Sequence, residues 1–136
     1  MNKKFTLAIF LIIILSNFGK AYSIEADVFV QSTVNRAAKT LGGSLSKEER
    51  VEKLKDIARD TVDIEGIGFY SLGANRKNAT EDQINRYKAA FSEYFLKSFS
   101  SRLAEYSNPE IEVDSKKIIN KNYTIVSSTL AGTDSR

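Results

Sequence analysis

The first apolar feature of the chain is an unbroken run, FTLAIFLIIIL (Phe5 to Leu15), preceded by Asn2, Lys3 and Lys4 and followed by small and polar residues up to Ser23. Charge, apolar stretch and small-residue tail in that order predict a secretory signal peptide over residues 1–23. The run falls short of the roughly 20 apolar residues that a membrane span needs. Cleavage after Ala21, with Gly19 two positions upstream, and after Ser23, with Ala21 in that place, both satisfy the small-residue rule.

Beyond the leader the period turns helical. EADVFVQSTVNRAAKTLGG places Val30, Val34, Ala37, Ala38 and Leu41 at helical spacing and ends on Gly42 and Gly43, a stop signal. Ser46 with Glu49 forms a capping box, and Val51, Leu54, Ile57, Ala58 and Val62 mark one face of a second helix. Asp63 to Gly73 (DIEGIGFYSLG) is apolar but interrupted by Gly66 and Gly68, each costing about 1 kcal/mol in a helix relative to alanine. A short buried helix held by tertiary contacts is expected there. Thr80 and Gln83 form another capping box and open the longest helix, about residues 80–106. At 100° per residue, Tyr87, Phe91, Tyr94, Phe95, Phe99, Tyr106 and Ile84 fall within an arc of about 140°, and Arg86, Glu93, Lys97 and Ser100 fall on the opposite flank. This aromatic face is expected to meet a sheet.

After Asn108 and Pro109 the period changes to two. Ile111 and Val113 alternate, Ile118 and Ile119 follow, Asn120 to Asn122 make a turn, and Tyr123 to Leu130 (YTIVSSTL) is rich in β-branched residues. A hairpin results, and two isolated strands are marginal in water. The fold class expected is α+β, with helices packed on a curved, largely antiparallel sheet that is incomplete in this chain.

Charge changes the picture only through the leader. The chain holds 20 basic and 17 acidic residues, and removing Lys3, Lys4 and Lys20 with the leader leaves seventeen of each. The sequence pI of about 9.1 therefore does not argue for nucleic acid or an anionic surface as partner. The absence of cysteine rules out disulfides and the lipid-modified cysteine of a lipoprotein. With no histidine either, catalysis has little to stand on. The carboxylate pairs Asp60 with Asp63 and Glu48 with Glu52 read as solvated charge on polar helix faces. LGGSLS lacks the lysine and spacing of a phosphate loop.

Asp63, Ile64, Ile67, Leu72, Gly73, Ala79, Thr80, Gln83, Ala90, Phe91, Tyr94, Leu103 and Tyr106 stand in a register that resembles the MlaC/Ttg2D family, the periplasmic phospholipid-binding components of the Mla ABC-transport system. The chain departs from that pattern at Asn75 and Arg76, where the family has an aromatic pair, and at its end, where family members continue into further strands and a helix. The resemblance implies a single lipid-binding domain over residues 24–136, truncated at its C-terminus. It also implies a cavity that sheathes the acyl chains of a phospholipid, with an inner-membrane ABC permease complex and an outer-membrane lipoprotein complex as partners. The wall residues expected are Ile67, Leu72, Phe91, Phe95 and Phe99, with Val126 from the sheet; no catalytic residue, metal ligand or cofactor is expected. Two other readings stand beside the carrier: a small helical interaction module completed by a partner chain, and a non-functional fragment whose open sheet edge aggregates.

Overall fold

The computed structural model describes residues 24–131, so the signal peptide expected over residues 1–23 lies outside the described residues. Four helices and a hairpin follow one another: α1 Ala26–Gly42, α2 Lys47–Thr61, α3 Ile64–Ser71, a 3-10 turn Gly73–Lys77, α4 Glu81–Leu103, β1 Glu110–Asn120 and β2 Tyr123–Ala131. The strands pair antiparallel in a two-stranded, unclosed sheet, which is the α+β class with an incomplete sheet that the pattern predicts. No helix among the described residues is long and apolar enough to cross a membrane.

Local chemistry sets the helix starts. At α2 the Glu49 amide donates to Ser46 Oγ at 3.2 Å, and the Ser46 amide donates to the Glu49 carboxylate at 2.9 Å. At α4 the Gln83 amide donates to Thr80 Oγ1 at 3.3 Å, and the Thr80 amide donates to Gln83 Oε1 at 2.9 Å. Such caps contribute about 1 kcal/mol each. α3 starts on Asp63, whose carboxylate accepts from the Gly66 amide at 3.0 Å. It stops where Gly73 takes φ +55°, a conformation a side chain would strain.

The core lies where the end of α1, the middle of α2 and the end of α4 converge: Leu41, Leu54, Ile57 and Ala104 are buried together, with Ala37, Val51, Leu103 and Tyr106 packed around them. Tyr106 reaches this cluster from outside the helix. α4 stops at Leu103 rather than at 106, and the chain turns through Asn108 (φ 48°) and the buried Pro109 into β1. Ion pairs brace the layer: Arg36 with Asp60 at 2.8 Å joins α1 to α2, and Lys88 with Glu65 at 2.8 Å joins α4 to α3. These are surface pairs, each of small value.

Two expectations need correction. α3 is not buried throughout: Ile64 and Gly68 face inward, but Tyr70 is 78% exposed and Ile67 and Phe69 are also open. Ser100, placed by angle on the polar flank of α4, is fully buried at 0% exposure. α2 packs against the flank of α4 that carries Leu96, Leu103 and Ala104, the side of the helix on which Ser100 also lies by angle. The Ser100 hydroxyl has no hydrogen-bond partner. A buried hydroxyl left unpaired costs about 1–3 kcal/mol, so Ser100→Ala is expected to raise the thermal midpoint of unfolding. A fall in that midpoint would show that the hydroxyl is paired.

The hairpin rests mainly on α1. Its register runs from Glu110 opposite Ala131 to Asn120 opposite Tyr123, with an irregularity between Val113 and Lys116. Half-buried Lys116 donates to Asp27 Oδ1 at 3.0 Å and to the Glu25 carboxylate, tying β1 to the first turn of α1. The hydrogen bonds to Glu25 and Asp27 raise the Lys116 pKa, and the one from Lys116 lowers that of Asp27. Asp27, depressed in the folded chain, contributes above its unfolded value and loses that contribution as pH falls through its folded value, below about 4. Lys116, raised, contributes below its unfolded value and loses this above about pH 10. Lys116→Met is therefore expected to speed amide hydrogen exchange in the hairpin several-fold at neutral pH, with α2 and α4 unchanged. Unchanged exchange in the hairpin would show that the apolar contacts of Ile111, Val113 and Val126 alone hold it.

Candidate functional site

Residues four apart on a helix stand one above another. On α4 this spacing stacks four aromatic rings in a continuous row. Tyr87 and Phe91 lie 6.1 Å apart between ring centroids, Phe91 and Phe95 6.2 Å, and Phe95 and Phe99 5.4 Å, with interplanar angles of 26°, 24° and 10°. Offset stacks of this kind add about 0.5–1.5 kcal/mol beyond the area they bury. Three of the expected wall residues, Phe91, Phe95 and Phe99, are thus consecutive members of one row.

The upper end of the row is fixed by α3. Gly68 sits on the Phe91 ring so closely that an added Cβ would lie 2.9 Å from Phe91 Cδ1. The Tyr87 hydroxyl hydrogen-bonds the Ser71 hydroxyl at 2.9 Å, and Ser71 Oγ donates to the Gly68 carbonyl at 2.7 Å. Ile67 and Leu72 belong to α3 and its end, the element that packs on α4 beside Phe91. Val126 lies elsewhere: it is the half-buried residue of β2, and the sheet rests on α1 rather than on the aromatic face of α4. The expected meeting of aromatic row and sheet does not occur, because α1 occupies the sheet and α2 takes the small-residue flank of α4.

The row is open. Phe99 is 38% exposed, Tyr87 is similarly open, and the adjoining Tyr94 is 70% exposed. Phe69, on the exposed side of α3, lies beneath the Arg76 guanidinium at 5.7 Å from its centroid. That contact gives Arg76 a role at the position where the family pattern has an aromatic. Two clefts border α1. One, of about 400 Å³, is lined by Arg36, Lys39, Thr40, Leu45, Lys53, Asp56 and Ile57, and the other, of about 640 Å³, reaches from Asp27 to Val113 and Asp114. Their rims mix both charges, and none of the six wall residues lines either.

Three of the four acids in the carboxylate pairs have partners. Asp60 pairs with Arg36, Asp63 caps α3, and Glu52 pairs with Lys55 at 2.7 Å, which lowers the Glu52 pKa. Sequence periodicity alone did not show the Tyr87–Ser71 link or the Gly68–Phe91 contact. The signal for the second was the glycine itself, set within an apolar helix.

The family described as MlaC protein matches residues 30–136. No curated protein and no solved structure matches the chain.

Proposed function

Because the chain belongs to the MlaC family, as its match over residues 30–136 shows, we propose that it is a periplasmic carrier of phospholipid in an ABC-type lipid transport system between inner and outer membranes. Family membership supports phospholipid binding and a general role in lipid transport, which is a binding task rather than a catalytic one. The finer assignment takes the inner-membrane permease complex and an outer-membrane lipoprotein complex as the sites of loading and delivery. The leader-like residues 1–23 support export to the periplasm.

The stacked row on α4 carries the proposal. Carrying a lipid through water means keeping acyl chains dry, at about 0.8 kcal/mol for each CH₂ buried. From Tyr87 to Phe99 the row is about 18 Å long at 1.5 Å per residue. One leaflet of a bilayer's hydrocarbon core is about 15 Å thick, so an acyl chain laid along the row finds apolar surface over its length. Phe91, Phe95 and Phe99 would line that track, with Ile67 and Leu72 flanking its upper end, while Val126, on the hairpin over α1, stands apart from it. The polar headgroup stays in solvent.

Transfer of labelled phospholipid from donor to acceptor vesicles tests the assignment. The chain is expected to accelerate transfer in proportion to its concentration. A rate equal to that of vesicles alone would oppose the carrier reading and favour the protein-interaction module, in which the same rings cover a partner chain.

A further inference from the structure

The cleft of about 400 Å³ between α1 and α2 is built from consecutive elements and carries an unbalanced charge. Arg36 and Lys39 come from α1, Lys53 and Asp56 from α2, and Leu45 from the loop that joins them. Thr40 and Ile57, which complete the lining, are buried, and the Thr40 hydroxyl donates to the Arg36 carbonyl at 3.0 Å. The acids nearby are engaged. Asp56 is held by Arg59 at 2.8 Å, and Asp60 by Arg36 at 2.8 Å. Also on α2, Glu49 closes the capping box with Ser46, and Glu52 holds Lys55 at 2.7 Å. α1 has no acid after Asp27. Lys39 and Lys53 therefore bring two positive charges with no ion-pair partner among the described residues. Residues 24–136 hold seventeen basic and seventeen acidic side chains, so the excess is local to this cleft. Concave sites with low-dielectric walls focus such a field.

We infer that this cleft binds a phosphate monoester, with Lys39 and Lys53 on the phosphate and Arg36 beside them. Such a group carries a charge of about −1.5 to −2 at neutral pH, which matches the two unpaired lysines, whereas a carboxylate would answer only one. Lysine binds phosphate as a point charge. Arg36 is held in place by its bond to Asp60 and has further N–H donors on a side chain that lines the cleft. The volume lies within the range of small-molecule sites, and Leu45 and Ile57 give the organic part of the ester an apolar lining. A soluble ester and the headgroup of phosphatidic acid share this chemistry. Lys39 and Lys53 are exposed and stand outside the buried cluster, so the fold does not depend on them. None of the six expected wall residues lines the cleft, and the inference is independent of the carrier proposal.

Amide resonances read the site directly, using the chain recovered after expression of the full sequence and purified without detergent. Titration with glycerol 3-phosphate is expected to shift Thr40, Leu45 and Ile57 saturably, while sodium chloride at equal ionic strength leaves them in place. Lys39→Ala combined with Lys53→Ala is expected to weaken binding by about tenfold or more. Lys117→Ala combined with Lys121→Ala removes the same charge from the hairpin and is expected to change binding by less than about twofold. Flotation with phosphatidylcholine vesicles that contain phosphatidic acid distinguishes the sources. Vesicle binding that the Lys39 and Lys53 substitutions abolish assigns the phosphate to a lipid headgroup, and binding of the soluble ester alone assigns it to a soluble compound. No saturable binding of either probe, equal loss in the hairpin variant, or undiminished binding in the cleft variant would overturn the inference. Should the double cleft variant fail to fold by circular dichroism, Lys39→Ala and Lys53→Ala taken singly, each expected to weaken binding several-fold, decide alone.

Discussion

Replacing Phe95 by aspartate is expected to strip bound phospholipid from the chain while leaving its helices in place. Phe95 is the one ring in the α4 row with both neighbours among the expected wall residues, stacked on Phe91 at 6.2 Å and on Phe99 at 5.4 Å. Burying a phenylalanine side chain is worth about 1.5–3 kcal/mol, so losing its contact with lipid costs at least tenfold in affinity. A carboxylate facing an acyl chain adds its own desolvation cost. The fold depends on Phe95 much less, because the buried cluster is built from Leu41, Leu54, Ile57 and Ala104. Circular dichroism and extraction of lipid from the same sample check both halves of the expectation. A folded Phe95→Asp variant that keeps its lipid would remove Phe95 from the proposed wall.

Leu54→Ala is expected to remove a large share of the chain's stability. Leu54 is 1% exposed and is the largest apolar side chain that is completely enclosed. Removing such a side chain costs about 2–5 kcal/mol, including the cavity left behind. Besides Pro109, only six apolar side chains are buried among the described residues, so little else holds the helices together. Natural domains have about 5–15 kcal/mol in total, and a chain with so small a core belongs near the lower end. A thermal midpoint lowered by about 10 °C or more is the expected result. A transition within a few degrees of the wild type would mean that the Leu41–Leu54–Ile57–Ala104 cluster is not the centre of the fold.

The elements were largely legible, and for local reasons. Ser46 with Glu49 and Thr80 with Gln83 announce two helix starts at short range, and the shift to β-branched residues at Tyr123 announces the second strand. The packing was less legible. Angle alone placed Ser100 among polar residues, yet it is the most buried side chain of α4, because a helix interface selects for small size as well as apolarity. Ile67, Phe69 and Tyr70 suggested a buried α3, but only Ile64 and Gly68 of that helix are enclosed. The aromatic row itself was legible, since a spacing of four from Tyr87 to Phe99 dictates stacking on any helix. What the row faces depends on which elements occupy the sheet, and the anchoring of β1 to α1 through Lys116, Glu25 and Asp27 spans about ninety residues of sequence. No periodicity reports such a contact.

Mass spectrometry of an organic extract tests the central claim most directly, using the chain secreted in a bacterial host from its full sequence and purified without detergent. Phospholipid in near-stoichiometric amount with the folded protein is the predicted result, and it would identify the aromatic row as surface that shelters acyl chains. Folded protein with no bound phospholipid would contradict the account.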